Sequence, residues 1–148
     1  MGTQKKRYTE EDRHQFLIDG LNILKSELEN AMTSVMMQHS NFIFKKEDLE
    51  EGVVFSILID NTLRKRIKLW ISFNMMAHDG AIYISDITHS YRARNDNSFS
   101  KWIKCRISLE NELEIDYMSF SMSRTQEIKH WEEVAIDIWK TEIIPYIR

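Results

Sequence analysis

Residues 53–73 read VVFSILIDNTLRKRIKLWISF, and this stretch decides the fold. Apolar side chains recur at every second position on both sides of a polar centre, which is the period of a β-strand with one buried face. The pattern predicts strands over residues 53–60 and 66–75, joined by a turn at residues 61–63. A three-residue connection sets odd-numbered positions opposite odd-numbered positions, so both apolar rows lie on one side of the sheet.

The sequence after this hairpin predicts further antiparallel strands. A short strand over residues 81–87 is followed by a second hairpin, formed by residues 99–109 and 113–120. Alternation of apolar and charged side chains in this second hairpin favours a register with Arg106 opposite Asp116, a pair of opposite charges.

Two amphipathic helices are expected to bracket the strands. Thr9 precedes three carboxylates, which is typical of a helix start, and an apolar stripe with spacings of three and four follows it. Gly20 interrupts this stripe and predicts a close packing contact or a slight bend. Near the other end of the chain, Ser123 and Gln126 form a capping-box motif before a second helical pattern, which Pro145 is expected to end.

Together these patterns predict an α+β fold. We expect a single antiparallel sheet of five to six strands, with a long N-terminal helix and a C-terminal helix packed on one of its faces. Residues 1–8 are expected to be a flexible basic N-terminus, and residues 9–148 to form a single α+β domain. A chain of 148 residues is long enough to bury a sizeable core without metals or disulfides.

The composition argues against several classes of protein. With 20 basic and 23 acidic residues the net charge is −3, so the chain lacks the basic excess of a general nucleic-acid binder. The lone cysteine, Cys105, cannot form an intramolecular disulfide, which favours a reducing compartment. No apolar run is long enough to span a membrane. We therefore expect a cytoplasmic protein that makes no membrane contact.

No catalytic constellation is evident among the titratable residues. The five histidines show no metal-ligand spacing, and the four glycines are too scattered for a phosphate loop or a nucleophile elbow. We predict no catalytic residues, metal ligands or cofactor. The enzyme class with a partial motif is a metal-dependent nuclease, for which Asp116, Glu127 and Lys129 are the candidate residues. Glu127 and Lys129 fall at the start of a predicted helix instead of on a strand, which argues against this alternative.

The second face of the predicted sheet is not uniformly polar, although antiparallel sheets commonly solvate one face. Aromatic side chains and methionine alternate there with basic residues, a composition typical of protein interfaces. The candidate interface residues are Lys68, Trp70, Trp102, Met118 and Phe120. The alternative is that residues 88–98, or residues 42–51, fold over this face and bury it.

A polar stretch before the second hairpin concentrates cations, aromatic rings and amides. Guanidinium groups bind phosphate through paired hydrogen bonds, and aromatic rings stack on bases, so a nucleotide or a single-stranded nucleic acid is a reasonable ligand. The candidate ligand-binding residues are Tyr91, Arg92, Arg94, Asn95, Asn97, Lys101, Trp102 and Lys104.

Two functions from different classes follow from these patterns. The first is a non-catalytic binding or adaptor domain that docks a protein partner or its own copy through the aromatic and basic sheet face. The alternative is a sensor or sequestering protein that holds a nucleotide or another phosphorylated molecule with the basic loop at residues 91–104. The metal-dependent nuclease ranks after both.

Overall fold

The computed structural model describes residues 7–73, 80–90, 97–119 and 128–147. Six strands form one antiparallel sheet in which each strand pairs with its neighbour in the sequence, and helices cover one face, so the predicted α+β fold is confirmed. The elements are α1 (Glu10–Gln38), β1 (Phe42–Asp48), β2 (Gly52–Ile59), β3 (Thr62–Ser72), β4 (Ala81–Asp86), β5 (Lys101–Ile107), β6 (Leu113–Ser119), α2 (Trp131–Ile138), a π-turn (Trp139–Ile143) and α3 (Ile144–Ile147).

The long helix α1 begins at a capping box and packs its apolar stripe on the sheet. The hydroxyl of Thr9 accepts a hydrogen bond from the amide of Asp12 at 3.0 Å, and the Asp12 carboxylate accepts one from the amide of Thr9 at 2.9 Å. Leu17, Leu24 and Met32 are fully buried against the strands. Its other side is largely polar, and none of the described helices is long and apolar enough to cross a membrane.

The close contact that the sequence predicts at Gly20 is present between α1 and α2. A Cβ added to Gly20 would lie 2.1 Å from a ring carbon of Trp131, the first residue of α2. The ring of Phe16 lies 5.4 Å from the same indole. Because Gly20 has no side chain, the indole of Trp131 can pack between α1 and α2.

The β2–β3 hairpin confirms the predicted pairing of odd with odd positions over most of its length, as with Phe55 opposite Ile67. The turn itself is shorter than predicted, because Asp60 and Asn61 alone form it. Both residues have positive φ, which is the type I′ geometry that matches the twist of a hairpin. Arg64 then has no opposite residue, and this β-bulge restores the odd-to-odd register.

The predicted register of the β5–β6 hairpin is wrong by two residues. Arg106 lies opposite Glu114 instead of Asp116. The strands end earlier than the alternation of side chains suggests, because the amide of Ser108 donates to the carbonyl of Glu112 at 2.8 Å and its hydroxyl accepts from the amide of Glu112 at 3.1 Å. A shift of two residues leaves every side chain on its predicted face of the sheet.

The second helix begins later than the motif around residue 123 suggests. Ser123 and Gln126 lie outside the described residues, and α2 starts at Trp131. The amide of His130 donates to the carboxylate of Glu133 at 3.2 Å, which satisfies one backbone donor at this helix end.

Pro145 does not end the helical segment, contrary to the prediction. In the π-turn the amide of Ile144 bonds to the carbonyl of Trp139, five residues back. This wider turn relieves the crowding that a proline ring causes against the turn before it. The chain therefore continues through Pro145 as α3.

Candidate functional site

The two faces of the sheet carry different sets of side chains. The helix face, covered by α1 and α2, holds the main core, and the opposite side is called the outer face. On the outer face Trp70, Tyr83, Phe99 and Trp102 form a continuous aromatic cluster, with successive ring centroids 4.6, 4.6 and 5.8 Å apart. Aromatic pairs of this kind contribute about 0.5–1.5 kcal/mol beyond the burial of their area. The cluster therefore holds Trp102 in a fixed position.

Part of the outer face is buried. Trp70 is 3% exposed, and its indole nitrogen donates to the hydroxyl of Ser85 at 3.0 Å. Lys68 is fully buried, with its ammonium group 5.0 Å from the centroid of the Trp70 ring. Two of the candidate interface residues, Lys68 and Trp70, are thus buried within the chain.

Residues 88–98 and residues 42–51, the two segments predicted to fold over the outer face, lie in different parts of the structure. The described ends of residues 88–98 lie against the outer face. There the carbonyl of Ser90 accepts a hydrogen bond from the Arg66 guanidinium at 3.4 Å, and the carbonyl of Ser98 accepts one from the hydroxyl of Ser85. The other proposed cover contains β1, which is the edge strand of the sheet. Because β1 pairs with β2, it extends the sheet and does not fold over it.

Three cross-strand pairs on β5 and β6 form a partly exposed area of the outer face, which we call the β5–β6 surface. Each pair joins a residue of β5 to a residue of β6; the pairs are Trp102 with Met118, Lys104 with Asp116, and Arg106 with Glu114. Met118 is 39% exposed, and the side chain of Arg106 is 48% exposed. The surface thus contains one apolar pair and two pairs of opposite charge.

The charges of the β5–β6 surface are balanced within the surface. The Arg106 guanidinium bonds to Glu114 at 2.5 Å and lies 3.9 Å from the carboxylate of Asp116. Two basic side chains therefore face two acidic ones, so this area lacks the positive excess that attracts a phosphate backbone.

The structure describes four of the eight predicted ligand-binding residues. The other four, Tyr91, Arg92, Arg94 and Asn95, lie outside the described ranges, as does the interface candidate Phe120. Asn97 is exposed before β5, and Trp102 and Lys104 lie on the outer face. Lys101 lies on the helix face, because consecutive residues of a strand point to opposite sides. Lys101 is also buried, on the opposite side of the sheet from Trp102.

The structure describes two of the three nuclease candidates. Asp116 lies on the β5–β6 surface beside Arg106, Lys129 is exposed before α2, and Glu127 is outside the described residues. Within the described ranges, no group of histidine, cysteine, aspartate and glutamate side chains could hold a metal ion.

Sequence reasoning missed a partly buried ionic cluster between the helix face and the C-terminal helical segment. The cluster consists of two lysines, three carboxylates and three hydroxyl-bearing residues, namely Lys65, Lys101, Asp86, Asp137, Glu142, Tyr117, Thr141 and Tyr146. Glu142 bridges the lysines, with its Oε2 3.5 Å from Lys65 Nζ and its Oε1 3.2 Å from Lys101 Nζ. Lys65 is 1% exposed and Lys101 is 8% exposed.

Each lysine of the ionic cluster has further partners. Lys65 binds the carboxylate of Asp86 at 2.8 Å, and its Nζ lies 3.7 Å from the centroid of the Tyr146 ring. Lys101 donates to the hydroxyl of Thr141 at 2.5 Å. Because both buried lysines are paired with carboxylates, the cluster anchors the last helical residues to β3 and β5 and leaves no unpaired buried lysine for a ligand.

The π-turn lets the C-terminal segment supply this cluster. In an α-helix of 3.6 residues per turn, Asp137 and Glu142 would point about 140° apart. The wider turn at residues 139–143 reduces this angle, so both carboxylates reach Lys101, at 3.7 and 3.2 Å. The available signal in the sequence was the position of Lys65 and Lys101, which both interrupt the odd-numbered apolar rows of their strands.

The environment of the cluster shifts three pKa values. Burial of Lys65 opposes its charged form, but the hydrogen bond and the attraction of Asp86 outweigh burial and raise its pKa above the ordinary value of 10.5. Burial likewise opposes the charged form of Asp86, yet the hydrogen bonds from Lys65 and Thr88 lower its pKa below 3.8. Burial and a hydrogen bond to the Asp137 carboxylate raise the pKa of Tyr117, so it stays protonated.

These shifts predict how stability varies with pH. A carboxyl whose pKa is lowered by folding stabilises the native state above its unfolded value, and loses that contribution as the pH falls through its folded value. In the wild-type chain the unfolding free energy should fall steeply as the pH drops below about 4, and this acid limb should be less steep in Asp86→Asn. The exposed control Asp60→Asn should keep the steep acid limb of the wild-type chain. Urea titrations from neutral to acidic pH measure both limbs. Equal acid limbs in Asp86→Asn and the wild-type chain would contradict this assignment.

Searches for similar proteins give the chain no relative from which a function could be inferred. No family model, no curated protein and no solved structure matches it. The described surfaces are therefore the basis for assigning a function.

Proposed function

We propose that the chain is a non-catalytic binding domain that contacts another protein chain through the β5–β6 surface. The observation that carries the proposal is the placement of Trp102, which is held by the aromatic cluster and paired across the strands with the exposed Met118. Aromatic and methionine side chains beside arginine are enriched in the cores of protein interfaces. A rigid aromatic anchor also loses little conformational entropy on binding.

The charges of this surface favour a protein partner over a nucleic acid. Lys104 and Arg106 lie opposite Asp116 and Glu114, so neighbouring acidic groups would repel a phosphate backbone. A protein partner can meet both signs of charge at once, which gives specificity and sets the orientation of binding. The nucleotide alternative stays a prediction that depends on residues 91–96 and is treated as an outcome of the test.

Site-specific photo-crosslinking tests the proposed function. A photoreactive residue at position 118 is expected to give protein adducts in cells that express the chain, whereas the same residue at position 26, exposed on α1, gives none above background. We expect Arg106→Glu to reduce the adducts at position 118 at least several-fold, because it reverses a charge at the same surface. The matched control Lys140→Glu, on the exposed side of the π-turn, should leave them unchanged.

Two outcomes would overturn the proposal. One is the absence of adducts at position 118 above those at position 26. The other is a large increase in melting temperature with nucleotides or single-stranded oligonucleotides, together with adducts at position 118 that Arg106→Glu does not reduce. The second outcome would favour the ligand sensor.

A further inference from the structure

The order of charges on the β5–β6 surface has a geometric consequence. All six side chains lie on one face, with every basic member on β5 and every acidic member on β6. A two-fold axis parallel to the strands and midway between them exchanges β5 with β6 without changing the position along the strands. In a second copy placed face to face about this axis, Lys104 meets Asp116 and Arg106 meets Glu114. In the apolar pair, Trp102 of each copy lies against Met118 of the other.

We infer that the partner of this surface is a second copy of the same chain, bound face to face about that axis. This inference rests on the proposed function and names its partner. Isologous contacts are the commonest arrangement in homo-oligomers, and they require a patch that complements itself. Packed sheets lie about 10 Å apart with their strands nearly aligned, a distance that lysine and arginine side chains can span.

The same charges disfavour two registers of the alternative arrangement, in which two copies pair edge to edge along β6. Antiparallel pairing centred on Asp116 would set this carboxylate directly opposite its own copy, and pairing centred on Ile115 would set Glu114 opposite Asp116. Like charges directly opposite in a sheet are destabilising. The face-to-face arrangement instead turns each charged pair into an attraction between chains.

Charge reversal followed by mixing tests the inference. In the proposed dimer, position 104 of each copy faces position 116 of the other. A homodimer of Lys104→Asp therefore sets two carboxylates against each other at both contacts, and a homodimer of Asp116→Lys sets two ammonium groups against each other. Each variant alone should therefore self-associate at least about tenfold more weakly than the wild-type chain, as measured by sedimentation equilibrium. In an equimolar mixture, Asp at position 104 of one chain faces Lys at position 116 of the other. The mixture is expected to recover association as a heterodimer.

The mixing step separates contacts between chains from effects within a chain. Both variants keep a like-charged pair inside the chain in the mixture as well as alone, so a recovery on mixing can only come from contact between copies. Circular dichroism checks that each variant is folded. If either fails to fold, the variants Arg106→Glu and Glu114→Arg repeat the design one pair further along the strands.

Three results would overturn the inference: a wild-type chain that stays monomeric at every concentration, reversed variants that associate as well as the wild type, or a mixture that stays as dissociated as its components. Adducts at position 118 with a different protein, together with a monomeric wild-type chain, would leave the proposed function standing and remove only the second copy. A monomeric chain without adducts at position 118 would remove both.

Discussion

Replacing Glu142 with alanine is expected to lower the free energy of unfolding by about 3 kcal/mol, since truncating this carboxylate removes one ionic partner from each of two buried lysines. Glu142 lies within 3.5 Å of both buried lysines, and its side chain is only 14% exposed. Lys65 keeps Asp86 as a partner in this variant, whereas Lys101 keeps a longer contact of 3.7 Å with Asp137. Urea denaturation at neutral pH measures the loss.

Two controls separate the ionic cluster from a general effect of helix substitution. Glu132→Ala, on the exposed side of α2, should change the unfolding free energy by less than about 0.5 kcal/mol. The triple replacement Lys65→Met, Lys101→Met and Glu142→Leu removes the two buried lysines together with Glu142 and leaves the more exposed carboxylates of Asp86 and Asp137. We expect it to be more stable than Glu142→Ala. A Glu142→Ala variant as stable as the Glu132→Ala control would show that the cluster does not hold the C-terminal segment.

Gly20→Ala is expected to destabilise the chain by about 2 kcal/mol, although alanine favours helices over glycine by about 1 kcal/mol. The added methyl group would lie 2.1 to 2.4 Å from three carbons of the Trp131 ring, so either the indole or α2 must shift. Thermal or urea unfolding compared with the wild type measures the cost.

A double-mutant cycle tests the cause of the Gly20 effect. In a Trp131→Leu background the crowding ring is absent, so Gly20→Ala should be neutral or stabilising there. Ile18→Ala, at an exposed position two residues earlier on α1, provides the control for a substitution in the same helix. An equal cost for Gly20→Ala in both backgrounds would place its cause in the helix backbone instead of in contact with Trp131.

The alternation of side chains predicts the faces of the sheet, and the exact turns depend on local chemistry that alternation does not report. Phe55 and Ile67 lie on the same face of the sheet as expected, because a strand period of two fixes the face of every residue. The register of β5 and β6 depends instead on the hydrogen bonds between Ser108 and Glu112, one between backbone groups and one to the Ser108 hydroxyl. The prediction that Pro145 ends the helix was wrong, because the π-turn before the proline lets the helical segment continue through it.

The candidate site could be predicted only in part. Placement of Trp102 and Met118 on the outer face follows from alternation, but burial of Lys68 does not, since burial depends on which segments lie against that face. The ionic cluster was harder to foresee, because Glu142 reaches Lys101 through a π-turn that helical spacing does not include.

Intermolecular nuclear Overhauser effects test the face-to-face pairing most directly. A chain labelled with ¹³C at its methionine methyl groups would be mixed with an unlabelled chain, and filtered spectra would select contacts between the two copies. Met118→Leu identifies the resonance of the Met118 methyl group. We predict cross-peaks from this methyl group to the indole of Trp102 in the other copy. Filtered spectra in which Met118 shows no intermolecular contact, at concentrations where the chain is dimeric, would contradict the pairing.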